Sequence, residues 1–329
     1  MLLDVALIVG GLILLIGGGE LLVRGAVRIA TRLGLSPMLI GLTIVGMGTS
    51  TPELVTSIQA ARVGSPGIAL GNIIGSNIAN SLLILGIAAL LSPVLVPRGV
   101  LWRDGGIGVA AAALLLVFGL TYGLNQLAGG LFVLLLFAYI AYAYLQEKTG
   151  AQHSAAYDRG EAMQTADPSL SAEKAEGSSL PVAFLLFIVG LGLVVGGGAL
   201  LVDGSVRIAA DLGVSEEVIG LTIVAVGTSL PELVTSAVAA LRKQGEIALG
   251  NVLGSNIYNI FFIGGFTGFV APAVVPASMI AFDLPLLIAV SLGVMLLAWT
   301  GGRLSRLEGG LMVGAYALYT AVTAGWIVL

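Results

Sequence analysis

The sequence predicts an all-α integral membrane protein whose ten transmembrane helices form two inverted five-helix repeats. Its composition is one reason, because 57% of the residues are hydrophobic and 10% are charged, whereas a soluble domain is roughly 25% charged. A second reason is an internal repeat, GLTIVGMGTSTPELVTS at 41–57 and GLTIVAVGTSLPELVTS at 220–236. A third is parity: each half supplies five apolar spans, so the second half must enter the membrane from the opposite side.

Ten stretches of the chain are apolar enough to span a bilayer, which requires about 20 mostly apolar residues. The absence of cysteine excludes disulfides and thiolate metal sites. The sequence also lacks a nucleotide-binding motif. We therefore expect a protein embedded in the lipid bilayer and functional as a monomer, not an enzyme, with no prosthetic group and no nucleic-acid partner. The spans cover approximately residues 4–23, 38–61, 67–91, 105–122, 125–145, 180–202, 215–240, 247–270, 280–299 and 307–328.

The repeat extends over both halves of the chain. Glycine triplets occur at 17–19 and 196–198, and residues 68–86, IALGNIIGSNIANSLLILG, match 247–265, IALGNVLGSNIYNIFFIGG. These matches define residues 1–146 and 180–329 as homologous five-span halves. Inverted repeats of this kind are a recurrent transporter architecture with the binding site near the midplane.

Residues 147–179 join the halves, and basic residues set the orientation. The joining stretch is rich in Ser, Ala, Gln and acids and lacks an apolar core, so we predict a flexible cytoplasmic linker. It contains His153, for which we expect no metal or proton-relay role. With both termini outside the cell membrane, all of the 14 Lys and Arg residues except Arg62 and Arg207 fall in cytoplasmic loops, as the positive-inside rule requires.

The first repeated motif places an acid inside each of two apolar spans. Glu53 follows Pro52, and Glu232 follows Pro231. An intramembrane acid indicates a functional site, and proline breaks a helix and frees backbone carbonyls. We therefore predict broken helices at the second and seventh spans, with backbone oxygens available nearby. The expected ligands are the hydroxyls of Thr49, Ser50, Thr228 and Ser229, the carboxylates of Glu53 and Glu232, and carbonyls near Gly46 and Ala225.

The second repeated motif adds amide and hydroxyl groups to one helical face. Three polar residues recur at a spacing of four in each half, which aligns them on a helix. Together the motifs offer only oxygen ligands, a set that suits Ca²⁺ and Na⁺ better than Zn²⁺ or Cu⁺. Two carboxylates balance one Ca²⁺ or two Na⁺, so these ions would compete. The residues are Asn72, Ser76 and Asn80, then Asn251, Ser255 and Asn259.

These motifs resemble those of the cation/Ca²⁺ exchanger superfamily, particularly prokaryotic Na⁺/Ca²⁺ exchangers. The resemblance covers both halves and both copies of each motif. It implies four central ion sites on the second, third, seventh and eighth helices, and first and sixth helices that slide as a pair. It also implies that Glu53 and Glu232 hold Ca²⁺ with Thr49 and Thr228, that Gly46, Ala225, Ser50, Ser76, Ser229 and Ser255 serve Na⁺, and that Asn80 and Asn259 line the middle.

One departure from the family pattern leaves the coupling ion open. Some members carry Asp at the position of Asn259. The asparagine in this chain therefore leaves the centre without that titratable group. The leading hypothesis is a Na⁺/Ca²⁺ antiporter that transports Ca²⁺ and Na⁺ by alternating access. A Ca²⁺/H⁺ or K⁺-dependent antiporter is the near alternative, and a cation channel is more distant.

Of the remaining intramembrane acids, Glu20 is expected to pair with Arg24, four residues away.

Overall fold

The structure is a computed structural model that describes residues 2–35, 40–96, 98–148, 154–168 and 179–325. Its described part is almost entirely helical. We number the helices along the chain: α1 (Leu2–Arg32), α2 (40–49), α3 (Thr51–Arg62), α4 (Pro66–Leu91), α5 (Arg98–Thr121), α6 (Gln126–Lys148), α7 (Ala155–Ala166), α8 (Leu180–Leu212), α9 (Glu216–Thr228), α10 (Leu230–Leu241), α11 (Gly245–Val270), α12 (Met279–Gly301) and α13 (Arg306–Thr323).

Seven described helices are long and apolar enough to cross a membrane: α1, α4, α5, α6, α8, α11 and α12. The pair α9 and α10, bent by 49° at a short break, makes an eighth candidate. The predicted spans 38–61 and 307–328 correspond to α2 with α3 and to α13, and both extend partly into residues outside the described ranges. The structure therefore supports a helical multi-pass membrane protein with seven or eight such spans.

Helices α4 and α11 form the centre of the molecule. The buried share of their apolar windows is 83% and 89%, whereas for the other five long spans it lies between 28% and 39%. Lipid-exposed helices keep apolar side chains on their outer surface, because the solvent around them is itself apolar. The two central helices carry the second repeated motif, so its polar residues are shielded on all sides.

Helices α1 and α8 pack against each other in antiparallel fashion along a seam of glycines. A Cβ atom added to Gly11 would lie 2.7 Å from the backbone nitrogen of Leu201, and one on Gly18 would lie 2.7 Å from Cβ of Leu193. Small residues let membrane helices approach closely without a hydrophobic driving force. The middle residues of the two glycine triplets face this seam. The seam glycines are Gly11, Gly18 and Gly25 on α1 and Gly190, Gly197 and Gly204 on α8.

Two short contacts link the connections between helices. Strand β1 (Val94–Leu95) pairs antiparallel with β2 (Arg303–Leu304), and Leu124 forms an isolated bridge with Ala273. At the 179-residue offset of the repeat, Val94 is equivalent to Ala273 and Leu124 to Arg303. Equivalent connections thus pair twice, one residue out of register, with the roles of the two halves exchanged.

The joining segment differs from the flexible linker that the composition predicts. Residues Ala155–Ala166 form helix α7, capped by the Ser154 side chain, which accepts a hydrogen bond from the Tyr157 backbone N–H. Seven of its residues are buried, among them Asp158 and Arg159. Composition does not predict this helix, because contacts with the rest of the molecule stabilise it. The linker prediction considered only whether the segment has an apolar core of its own. His153 and residues 169–178 lie outside the described residues.

Ion pairs and hydrogen bonds hold the edges of the bundle. Arg24 bonds Glu20, as the four-residue spacing predicts, and also Asp167, at 2.9 Å between Nη2 and Oδ2. Asp104 is fully buried and accepts a hydrogen bond from Tyr139 at 3.0 Å. Its repeat equivalent Asp283 accepts one from Tyr319 at 2.9 Å. These acids thus connect neighbouring helices in the same way in both halves.

Candidate cation site

Each first-motif helix breaks two residues before its proline. Ser50 separates α2 from α3 with φ −89° and ψ 6°, and Ser229 separates α9 from α10 with φ −86° and ψ 8°. Pro52 and Pro231 then occupy the first turn of the following helix, where a missing N–H costs nothing. Irregular backbone at membrane depth persists only inside protein or beside a cavity. The two breaks therefore mark matched positions of a buried site.

An asparagine from a central helix fixes each acid. Asn72 donates to the backbone carbonyl of Glu53 at 3.1 Å and to Ser57 Oγ at 2.9 Å. In the second half, Asn251 donates to the carbonyl of Glu232 at 3.2 Å and to Ser236 Oγ at 2.8 Å. The spacing predicts both asparagines on the polar face of their helices, but it does not predict that they position the two acids. Their position four residues before Ser76 and Ser255 was the available signal.

The two acids are almost inaccessible to solvent and incompletely hydrogen-bonded. Glu53 and Glu232 are each 2% exposed, and Oε2 of each has no hydrogen-bond partner among the described residues. Burying unpaired polar atoms costs free energy, so such atoms call for an explanation such as an ion. Hard cations prefer oxygen ligands, and this set fits them. Among the second-motif residues, the buried oxygens without a partner in the described part of the chain are Oδ1 of Asn80 and Asn251 and Oγ of Ser255.

The site joins residues of the two halves directly. Ser76 donates to the carbonyl oxygen of Ala225 at 3.4 Å, and the Thr228 hydroxyl lies 2.9 Å from Oδ1 of Asn72. In the first half, the Thr49 hydroxyl lies 3.3 Å from the carbonyl oxygen of Gly46. The predicted carbonyl oxygens of Gly46 and Ala225 therefore lie near the breaks, and a side-chain hydroxyl of the protein contacts each of them.

Asparagines also occupy the middle of the site. Asn80 and Asn259 are buried at equivalent positions and each begins a π-helical turn, a distortion often found at functional sites. Asn80 donates to Oδ1 of Asn256 at 3.1 Å, and Nδ2 of Asn256 donates to Oγ of Ser81 at 2.9 Å.

Not every predicted ligand contacts another. Within the described ranges, seven predicted ligands have side chains with no hydrogen bond to another predicted ligand: Ser50, Glu53, Asn80, Ser229, Glu232, Ser255 and Asn259. Of the twelve predicted residues Thr49 is partly buried, and the buried ones are Gly46, Ser50, Glu53, Ser76, Asn80, Ala225, Thr228, Ser229, Glu232, Ser255 and Asn259.

A cation of the chain already lies in this site. Arg159 of α7 is 0% exposed, and its Nη2 donates to Ser50 Oγ at 2.7 Å and to Glu232 Oε1 at 3.0 Å. The same nitrogen lies 3.3 Å from Thr49 Oγ1, and the guanidinium sits 5.1 Å from the centre of the Tyr258 ring. Sequence reasoning missed this residue because it falls in the polar linker, where a basic residue is ordinarily solvated.

Comparison with known proteins identifies the family. A family model described as sodium/calcium exchanger protein matches residues 3–147 and 182–325. The chain belongs to the sodium/calcium exchanger protein family. The matched ranges of this exchanger-family chain cover both halves, and residues 148–181, which contain Arg159, lie between them.

Relatives share the whole length of this exchanger-family chain. The putative antiporter CaxA of Alkalimonas amylolytica is 36% identical, over 97% of this chain and 98% of its own. The sodium/calcium exchanger MaX1 of Methanosarcina acetivorans is 38% identical, over 95% and 96% respectively. Among solved structures, the sodium-calcium exchanger NCX_Mj soaked with 100 mM Na⁺ and 10 mM Sr²⁺ is 32% identical, covers 100% of this chain and 99% of its own, and has a TM-score of 0.61.

Proposed function

We propose that the chain exchanges Na⁺ for Ca²⁺ across the membrane at one central site. The observation that carries the proposal is the pair Glu53 and Glu232, each buried beside a helix break with one carboxylate oxygen unpaired. Two carboxylates balance either one Ca²⁺ or two Na⁺, so the ions compete for the same charge. The names of the relatives MaX1 and NCX_Mj as sodium/calcium exchangers support this choice of ions.

The donors divide into three groups in this proposal. Glu53 and Glu232 hold Ca²⁺ in the middle, with the hydroxyls of Thr49 and Thr228. Asn80 and Asn259 line the central position. Flanking Na⁺ ions use the carbonyls of Gly46 and Ala225 with nearby hydroxyls, an arrangement supported by the 3.4 Å contact of Ser76 with the Ala225 carbonyl oxygen. The hydroxyls are those of Ser50, Ser76, Ser229 and Ser255.

Alternating access follows from the relation between the halves in this proposal. The exchanged pairing of Val94 with Leu304 and of Leu124 with Ala273 supports two repeats of inverted topology, which move against each other around a fixed site. The glycine seam supports α1 and α8 moving as one body. A cavity of about 290 Å³ reaches Thr49 and is lined by Glu20 and Pro52, among others, and we propose it as one access route.

In this proposal, the chain also has a defined orientation in the membrane. It is a multi-pass protein of the plasma membrane with ten spans, with both termini outside and the α7 segment on the cytoplasmic side. All the proposed ligands come from one chain, so a monomer suffices for transport.

The test is ⁴⁵Ca²⁺ uptake into proteoliposomes that contain Na⁺ and are diluted into Na⁺-free medium. The outward Na⁺ gradient is expected to drive Ca²⁺ accumulation, and vesicles with equal Na⁺ on both sides are expected to show none. Uptake driven by a pH gradient without Na⁺ would indicate a Ca²⁺/H⁺ antiporter, and a strict requirement for K⁺ a K⁺-dependent one. Single-channel currents would indicate a channel. Absence of any Na⁺-dependent uptake would overturn the proposal.

A further inference from the structure

Helix α7 is fixed to the rest of the molecule at both ends. At its start, the Ser154 backbone N–H donates to Glu147 at 2.7 Å, and the Ala155 N–H donates to the buried Asp104 at 3.2 Å. Just beyond its end, Asp167 accepts hydrogen bonds from Arg24 of α1 at 2.9 and 3.2 Å. These contacts hold the helix in one orientation and aim Arg159 into the candidate site.

The helix takes a position that the repeat assigns to another segment. In the first half, a Cβ on Gly71 would lie 2.8 Å from Gly220, so α4 packs directly on α9. The repeat equivalents of Gly71 and Gly220 are Gly250 and Gly41. Around Gly250, however, the nearest atoms belong to the Asp158 side chain of α7.

The next glycine of each central helix repeats this difference. A Cβ on Gly75 would meet Leu221 of α9 at 2.6 Å, whereas one on its equivalent Gly254 would lie 2.8 Å from the Ala155 carbonyl oxygen and 3.1 Å from Cβ of Arg159. The linker helix therefore fills the groove on α11 that the repeat would give to the first part of α2.

Arg159 places a positive charge where the proposed ions bind, but its own hydrogen bonding is incomplete. Its guanidinium places one positive charge on Glu232 and takes hydroxyl oxygens of the first-half break as further acceptors. Its Nε and Nη1 atoms are buried without a partner among the described residues. A buried charge with unpaired donors is held in place by attraction to its partner, against a large desolvation cost. A multivalent cation that binds both carboxylates is thus able to compete with it.

We propose that α7 is an autoinhibitory plug, in which Arg159 is a tethered cation that competes with Ca²⁺ and Na⁺ for Glu232. This inference rests on the proposed function, because the competing ions are the proposed substrates. While the plug is in place, the Arg24–Asp167 pair also ties α1 to the linker, which restrains the unit of α1 and α8. Rising Ca²⁺ displaces Arg159, α7 withdraws, and exchange begins.

The first test compares the variant Arg159→Gln with the wild-type chain in ⁴⁵Ca²⁺ exchange. The apparent KM for Ca²⁺ is expected to fall about tenfold. A fall of this size corresponds to a wild-type population in which about nine molecules in ten are in the plugged form. Arg159→Lys keeps a charge with fewer donors and is expected to lie between the two. Arg242→Gln removes an exposed arginine as the matched control and leaves KM unchanged. An unchanged KM in Arg159→Gln would overturn the plug.

A second test reads the position of the helix without altering Arg159. The chain has no cysteine, so Met163→Cys places a single thiol at a residue of α7 that is 4% exposed. Ca²⁺ is expected to raise its rate of labelling by a water-soluble maleimide at least about tenfold, and Asp167→Asn to raise it without Ca²⁺. A thiol at the exposed position Arg242 is expected to react at the same rate throughout.

The outcomes separate this inference from the proposed function. If neither wild type nor Arg159→Gln shows Na⁺-dependent Ca²⁺ uptake, the proposed function fails. If both show equal uptake, and Ca²⁺ leaves the labelling of Met163→Cys unchanged, exchange stands and the plug is wrong. If Arg159→Gln does not fold, the labelling of the chain that retains Arg159 decides.

Discussion

At the scale of residues, matched polar contacts position the two acids. Asn72 and Asn251 each bond the carbonyl of a site glutamate and a serine one turn later. A hydrogen bond to a buried group contributes about 1 kcal/mol, and leaving its partner unsatisfied costs more. These asparagines therefore position the glutamate backbone whether or not they touch an ion.

The variant Asn72→Ala tests this positioning role. It removes the bonds to Glu53 and Ser57 and the contact with Thr228, so Ca²⁺ affinity is expected to fall about tenfold, equivalent to about 1.4 kcal/mol. The measurement is equilibrium ⁴⁵Ca²⁺ binding to the purified protein. Asn77→Ala is the matched control, because Asn77 lies on the same helix and bonds only the carbonyl of Ile73 in its own turn. Equal losses in both variants would contradict the role of Asn72.

At the scale of helices, the glycine seam determines how closely α1 and α8 pack. Gly17 and Gly18 are neighbours in sequence, yet a Cβ on Gly17 meets nothing within 4 Å, while one on Gly18 lies 2.7 Å from Leu193. Each glycine triplet thus has residues on both faces of its helix, and only some of these residues pack in the seam.

Replacing these two glycines by alanine is expected to have opposite effects. Gly18→Ala forces the helices apart, and overpacking of this kind costs about 1–3 kcal/mol, so the thermal midpoint in detergent falls by several degrees. Gly17→Ala adds only helix propensity, worth up to about 1 kcal/mol, and leaves the midpoint unchanged or higher. A lower midpoint for Gly17→Ala than for Gly18→Ala would contradict the described seam.

Much of this element-scale picture is predictable from sequence, and the reasons are local. Pro52 and Pro231 indicate helix breaks because proline cannot continue a helix past its own turn, and Glu53 and Glu232 indicate a site because acids are rare inside a membrane. Helix α7 is not predictable in this way. Most of its residues are polar or small, and its position depends on tertiary contacts such as that between Ala155 and Asp104.

At the scale of the whole molecule, we propose two inverted copies of one fold, and inversion predicts opposite exposure of equivalent ends. Arg62 ends α3 and Arg242 follows α10, at equivalent ends of the two broken helices. Inverted topology requires Arg62 outside and Arg242 inside the cell. In sealed right-side-out vesicles, a membrane-impermeant maleimide is expected to label Arg62→Cys and to label Arg242→Cys only after permeabilisation. Labelling of both from the same side would contradict inversion.

The central claim is that Glu53 and Glu232 together bind the ions that the protein exchanges. Equilibrium ⁴⁵Ca²⁺ binding to the purified chain, with Na⁺ as the competitor, tests it most directly. We predict that Na⁺ displaces Ca²⁺, that Glu53→Gln and Glu232→Gln each weaken Ca²⁺ binding at least about a hundredfold, equivalent to about 2.8 kcal/mol, and that Glu246→Gln, at an exposed glutamate, binds normally. Undiminished, Na⁺-sensitive Ca²⁺ binding in a double variant that lacks both acids would contradict the claim.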